Sequence, residues 1–444
     1  MSDDVREAKR RTIRRLKVLY FWQAVGPSSW GRYASLFYDS VGLTPAQVGV
    51  ITGSMPLIRA VAMPSWGAIA DRSSKKKVAL VTQSLSALTL ALYAFGGIRG
   101  FFSLWAVAAA SACFASSGVL DAYAVQALGA EKSRFGEIRL WSAVSWGVSN
   151  VAMGYVADLT RSFFVNLLCF VACTIISVAI IAGLVPETKT TTTTRVVLPI
   201  GPVRLRTVVF FVELAVIGAG MGLVERLLFV YIVEVLGGSY ALCGWTVLAT
   251  VAIEIPIFAS AKRILATIGH EASFVLALAC YVPRVYGYTL LERQSRRWIL
   301  VIELLHGPTF GLMFAAAVDK AADLAPPGRE ATYQTIQNAV RSCLGAGLGA
   351  SLGGWYWQYV CARRRERPAC REGAVSLFRL AALVFAVVLL AHLALLFGSY
   401  AISRKPKSGD LRLLEASLVD DDDDASTIDD TLSEGDVDGA AAAT

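Results

Sequence analysis

Long apolar runs separated by short polar breaks recur along almost the whole chain. Crossing a bilayer core takes about 20 apolar residues in a helix. Reading for such runs predicts spans at 18–38, 46–70, 78–97, 101–128, 138–158, 163–185, 207–233, 241–265, 272–291, 298–320, 331–360 and 374–400. No series of segments alternates with period two, so the pattern predicts an all-α integral membrane protein of about twelve helices and not a β-barrel. The longest polar break before the tail is PETKTTTTTRVVLPIGPVRLR, residues 186–206, and it divides the spans six and six. Two six-helix halves are the layout of many secondary transporters. The expected organisation is a basic cytoplasmic N-terminus (1–17), a first half (18–185), a cytoplasmic linker (186–206), a second half (207–400) and an acidic tail (401–444). The first apolar run is long enough to stay in the membrane, so no cleavable signal is expected before it.

Composition narrows the classes. Of 444 residues 55% are hydrophobic and 17% charged, against roughly 25% charged in ordinary soluble domains. Mean hydropathy is +0.54. Those values exclude a soluble enzyme, a disordered chain and a disulfide scaffold. The net charge of +8 is a difference of two parts: residues 1–400 carry +16, and the last 44 hold 12 acids and 4 bases. In a membrane protein a basic excess first reports orientation, not nucleic-acid binding. Counted with bases near the span ends, one set of loops and both termini hold 26 Lys and Arg and the opposite loops hold 10. Both termini are therefore expected in the cytoplasm, at the plasma membrane or an endomembrane. The loop CARRRERPAC (361–370) breaks the rule. Its flanking Cys361 and Cys370 are candidates for a disulfide if the loop is exoplasmic, with free thiols as the plainer alternative. The tail, with its run of five aspartates, is expected to be disordered. It contains DLRLL (Asp410 to Leu414), which looks like a dileucine-type sorting signal, so cytoplasmic sorting or scaffold proteins are candidate partners.

Charge inside a bilayer is costly and asks for a partner or a water-filled cavity. The predicted spans contain Arg32, Arg59, Asp121, Glu213, Glu225, Arg226, Glu254, Arg284, Glu303, His306, Asp319 and Arg341. That is too many for a lipid-facing scaffold, and it points to an aqueous cavity between the halves. For Arg32, Arg226, Asp319 and Arg341 the favoured reading is a structural pair or a side chain reaching to the interface.

The junction of the second and third spans reads GAIADRSSKKK, with Gly67, Asp71 and Arg72 followed by three lysines. Gly67 permits close helix contact, and Asp71 suits the N–H groups at a helix start or a basic partner. This loop resembles the signature loop of the major facilitator superfamily, in the place where that family has it. The resemblance implies a gating role for the three residues. The equivalent place in the second half, FASAKRILATIGHE (258–271), keeps Lys262 and Arg263 but lacks the acid.

A further stretch, VLDAYAVQALGAEKSRFGEIRLWSAVSWGV, resembles lactose permease and its relatives, the oligosaccharide and nucleoside proton symporters. In that branch a span-four carboxylate lies fifteen residues before the glycine of an FG-x-x-R segment. Asp121 stands in that relation to Gly136, Arg139 falls on the substrate-binding arginine, and Trp146 falls on the tryptophan that stacks on a sugar ring. A carboxylate and a guanidinium facing one another can clamp hydroxyl groups, and an indole offers an apolar face. In the second half Arg284 and His306 fall on the branch's proton-coupling arginine and histidine. The chain departs there, with Thr309 where the branch has a glutamate and Glu303 where it has a lysine. Glu303 and His306 share a helical face and are a candidate relocated titrating pair. Glu254 lies about a turn from the branch's central acid. The segments FGEIRLW, IELLHGPTFGL and LAPPGREATYQTIQNAV most resemble eukaryotic orphan facilitator-domain proteins.

No P-loop is present, which argues against an ATP-driven pump. No clustered Cys/His spacing suggests a metal, and no cofactor or enzymatic activity is expected. The sequence therefore predicts a secondary transporter moving a small polar solute, sugar- or nucleoside-like, by alternating access and coupled to protons. The alternatives are an uncoupled facilitator, favoured by Thr309, and a non-transporting receptor or scaffold, favoured by the acidic tail.

Overall fold

In a computed structural model the chain is described at residues 3–94, 98, 100–129, 134–184, 205–326, 329–364 and 369–403. The acidic tail with its sorting-like motif, and most of the central linker, lie outside these residues. Among the described residues every regular element is helical, and a helical stretch occupies each of the twelve predicted spans. The helices are α1 (Asp3–Trp30), α2 (Tyr33–Ser40), α3 (Pro45–Arg72), α4 (Lys75–Ala91), α5 (Phe101–Cys113), α6 (Ser117–Leu128), α7 (Phe135–Thr160), α8 (Phe164–Ala182), α9 (Leu205–Val230), α10 (Tyr240–Thr289), α11 (Ile299–Glu303), α12 (Met313–Leu324), α13 (Glu330–Asn338), α14 (Ala346–Arg363) and α15 (Arg371–Ser403). Eight elements are long and apolar enough to cross a membrane on their own. The first, fifth and eleventh predicted spans are helical but less apolar. Residues Met1–Leu389 form one compact unit, and Leu390–Thr444 form a second, described only to residue 403, where it is helical.

Local chemistry explains several boundaries. Thr44 and Gln47 form a capping box at the start of α3, with Pro45 in the first turn. Ser74 and Ser239 cap α4 and α10 by accepting from the N–H groups of Lys77 and Leu242. The 50-residue α10 contains Gly269 at φ +74° and ψ 174°, outside helical geometry. It is therefore two helices, 240–268 and 270–289, matching the eighth and ninth predicted spans. The basic N-terminus is helical from Asp3, helped by the Arg11–Glu7 pair at 3.0 Å.

Burial ranks the spans. Of the most apolar window in Leu205–Val235 61% is buried, against 28% in Phe164–Ala182. The former is a central helix, and the latter turns most of its surface to lipid. At one end of the bundle two helix pairs meet backbone to backbone. A Cβ on Gly49 of α3 would lie 2.5 Å from the Ala350 carbonyl oxygen of α14, and one on Gly354 would lie 2.2 Å from that of Pro45. A Cβ on Gly154 of α7 would lie 2.5 Å from the Tyr240 carbonyl oxygen of α10. At the same end Asp158 accepts from the N–H groups of Tyr240 and Ala241 at 2.9 and 2.8 Å, a carboxylate held on a helix N-terminus. Toward the other end the pairs diverge. Gly67 and Gly136 have open space where a Cβ would stand, and Asp71 and Arg72 are exposed.

Candidate functional site

The first predicted span is not one continuous helix. Pro27 lies inside α1, Ser28 and Ser29 bond back to the carbonyls of Val25 and Gly26 at 2.8 and 2.6 Å, and the chain turns at residues 31–32 before α2. Side-chain competition of this kind bends helices. The bend carries Arg32 to the wall of a cavity of about 350 Å³ among α1, α3, α5, α7, α9 and α10. That volume lies within the range of small-molecule sites.

Titratable groups are concentrated there. Arg32, Arg59, Glu225, Arg226, Glu254 and His306 all line the cavity, together with Trp30, Tyr38 and Trp146. Arg32 meets Glu225 at 3.8 Å and lies 6.0 Å from the ring centroid of Phe229. His306 Nε2 and Glu254 Oε1 are 3.2 Å apart. The His306 ring stacks on Phe310, and its Nδ1 is buried without a hydrogen bond. His306 comes immediately before a wider π turn, Gly307–Leu312, that contains Pro308. Gly307 lets this turn close on α10, since a Cβ there would stand 2.2 Å from Ile253 Cγ2. That approach brings His306 to Glu254.

The expected Glu303–His306 pair is not formed. Glu303 faces Arg284 instead, with Arg284 Nη2 donating to Glu303 Oε2 at 3.0 Å. Arg284 also donates to Thr309 Oγ1 at 3.0 Å and to the Tyr288 hydroxyl at 3.1 Å, and that hydroxyl bonds Glu303 Oε1. Arg284 is 2% exposed and Glu303 0%. Every charge in this knot is answered inside it, and none of its members lines the cavity. Thr309, which replaces a glutamate of the permease pattern, is a full member.

The three residues read from the fourth and fifth spans separate. Asp121 and Arg139 do pair, Arg139 Nη1 lying 3.3 Å from Asp121 Oδ2. Tyr20 donates to the same carboxylate at 2.6 Å, and Lys17 bonds Glu137 nearby. The Arg139 side chain is 61% exposed. Trp146, seven residues or roughly 10 Å farther along the helix, lines the cavity with Glu254 and His306. Arg32 forms a structural pair with Glu225, as expected, but both Arg32 and Arg226 also stand on the cavity wall. The available signal was depth: both stand well inside an apolar run. Arg341 fits the structural reading. It is buried, bonds Asn338 at 3.2 Å and lies 4.9 Å from the Phe314 centroid. Asp319 bonds His270, and Asp323 joins them with donor atoms within 4.8 Å, beside a Lys320–Glu271 pair at 2.8 Å. Two of those three donors are exposed, and the group serves as a polar tie between α10 and α12. Gly67, Asp71 and Arg72 lie at the divergent end, where neither Asp71 nor Arg72 forms an ion pair among the described residues. Cys361 and Cys370 are joined, with Cα atoms 5.7 Å apart, and Trp357 donates to the Cys370 carbonyl at 2.9 Å.

A model of the MFS_1 like family matches residues 13–365. The maltose permease of Geobacillus stearothermophilus is 25% identical over 365 residues, which cover 80% of this chain and 88% of the permease. The uncharacterized transporter YwbF of Bacillus subtilis (strain 168) is 24% identical over 358 residues, covering 79% and 88%. Among solved structures, the nucleoside transporter NupG superposes with a TM-score of 0.69 at 15% identity, over 86% of this chain and 98% of NupG. An inward-facing, occupied bacterial homolog to the human lysosomal transporter Spinster gives 0.68 at 13%, over 92% and 100%. At those identities the solved structures speak to the fold, which is that of the facilitator transporters.

Proposed function

The chain belongs to the MFS_1 like family and is a multi-pass membrane transporter of the secondary type, and on that premise we propose that it moves a small hydroxylated solute, sugar- or nucleoside-like, together with protons. The observation that carries this reading is the cavity wall on which Trp146, Glu254 and His306 stand together. An indole face suits a pyranose or a base, and a bonded histidine–carboxylate pair can take up and release a proton. The maltose permease and NupG, by their names, handle a sugar and nucleosides. Asp121 and Arg139 belong at the open end, where an exposed guanidinium meets the solute before Trp146 does. Placement among the eukaryotic orphan branch rests on the three quoted segments alone.

The excess of bases assigns both termini to the cytoplasm. With that orientation the closed end of the bundle faces outward and the divergent end inward, an inward-facing state. A disulfide at Cys361–Cys370 is chemically at home on the outward side. Gly67, Asp71 and Arg72 then belong to a cytoplasmic gate that engages in the opposite state, as the two six-helix halves rock about the cavity.

The test is transport by purified protein in liposomes, over a sugar and nucleoside panel with an imposed pH gradient. Wild type should accumulate at least one solute. Glu254→Gln should lose gradient-driven accumulation and keep solute exchange. No transport of any panel member, or accumulation by Glu254→Gln equal to wild type, refutes the reading.

A further inference from the structure

The cavity is over-supplied with positive charge. Its wall holds three guanidinium groups, Arg32, Arg59 and Arg226, against two carboxylates, Glu225 and Glu254. Glu225 meets Arg32 at 3.8 Å, and Glu254 meets His306 at 3.2 Å, a pair that is ionic only when the histidine is protonated, so the wall keeps an excess of at least one positive charge. Arg59 of α3 and Arg226 of α9 are left over. Neither donates a hydrogen bond or forms an ion pair among the described residues, and each is accessible from the cavity. Arg226 feels the opposite charge of its neighbour Glu225, and its own charge acts on Arg59. Arg59 is exposed and Arg226 half-buried, and these two guanidinium groups without a bonded partner come from two different helices that line one pocket. Arg59 also borders a second cavity of about 260 Å³, which shares Trp30, Leu90 and Ser111 with the first. There Gln23 and Gln83 each hold a buried carbonyl oxygen without a hydrogen bond.

The geometry points to a substrate that carries an anionic group, a carboxylate or a phosphate, held between Arg59 and Arg226, with its hydroxylated ring toward Trp146. Planar guanidinium groups recognise both anions through paired N–H donors. The inference rests on the transport reading and narrows its substrate to a sugar acid, sugar phosphate or nucleotide-like solute. It also gives the anion a part in gating. Like charges on α3 and α9 oppose the approach of these helices, and an anion between them turns that repulsion into two attractions.

The test uses neutral and charged partners of the same scaffold: D-glucose, D-glucuronate and D-glucose 6-phosphate, and uridine with uridine 5′-monophosphate. Binding to the purified full chain is followed by tryptophan fluorescence and by thermal shift. At least one charged member should bind about 10- to 100-fold more tightly than its neutral partner, the span of a charge-assisted hydrogen bond. The glucuronate and phosphate arms tell which anion is preferred. In Arg59→Gln and Arg226→Gln that ratio should fall toward one, and Arg59→Lys should retain part of it. The lysine variant and monodisperse elution guard against simple misfolding. Equal binding of neutral and charged partners, or an unchanged ratio in both glutamine variants, overturns the inference and leaves the transport reading standing. Failure of every probe, neutral and charged, overturns the hydroxylated-solute reading and this inference with it.

Discussion

Replacing Glu303 separates a structural role from a proton-carrying one. Glu303 is fully buried, accepts from Arg284 at 3.0 Å and is bonded by the Tyr288 hydroxyl. Glu303→Ala strands the Arg284 guanidinium with only Thr309 and Tyr288 as partners. Breaking a buried pair by removing one member costs about 3–5 kcal/mol. Glu303→Gln keeps an acceptor for Arg284 but removes its counter-charge and makes the Tyr288 bond a neutral one, a loss of about 1–2 kcal/mol. With about 2 cal/mol/K of unfolding entropy per residue, the unit Met1–Leu389 has close to 0.8 kcal/mol/K. The alanine variant should therefore melt about 5 °C lower, and the glutamine variant about 2 °C lower. The double replacement Arg284→Met with Glu303→Leu removes both charges at similar volume and should recover most of the loss, since apolar substitutes for buried pairs are often neutral or better. The assay is thermal unfolding in detergent beside counterflow in liposomes. If Glu303→Gln melts like wild type yet loses proton-driven accumulation, the knot is part of the coupling machinery and the structural argument fails.

Three other substitutions probe the helix contacts. Gly349→Ala should be destabilising by about 1–3 kcal/mol or prevent folding, because its Cβ would stand 1.8 Å from the Ala219 carbonyl oxygen; melting or expression yield comparable to wild type would contradict the packing. Asp158→Asn should weaken the hold on the α10 N-terminus by about 1 kcal/mol and raise the population open at the now-closed end, measured by spin-label distances across α7 and α10. An unchanged distance distribution counts against the contact as a clasp. Cys361→Ser opens a loop whose cysteines are 9 residues apart and should lower stability by about 3 kcal/mol; the same loss on adding reductant to wild type identifies the bond as the cause.

The spans were legible because a bilayer imposes a length and an apolarity that each stretch of sequence meets by itself. Even the break in the longest helical run could be placed, since Gly269 falls between two predicted spans. The charges inside the membrane were legible as a set, because cost alone singles them out. Their partners were not, because partners are chosen in three dimensions. Glu303 and His306 are three residues apart and share a helical face by spacing, which invites a local pair. The chain instead widens into a π turn after His306, and Gly307 lets α10 close in, so His306 reaches Glu254 on another helix. Glu303, one turn earlier, points at Arg284. A one-helix periodicity argument has no access to either event.

The same limit explains why resemblance placed the binding triad more tightly than the structure does. Asp121, Arg139 and Trp146 align with a permease pattern, yet only Trp146 reaches the cavity. The cavity instead draws Arg32 from the turn before α2, Arg59 from α3 and Arg226 from α9. A cavity wall with three guanidinium groups and two carboxylates is a different instrument from a single carboxylate–guanidinium clamp. Transporter and permease can share a helix plan and a stacking indole while differing in which charges the pocket leaves unanswered. Those unanswered charges, more than the aligned motif, are the feature from which this transporter's selectivity should be read.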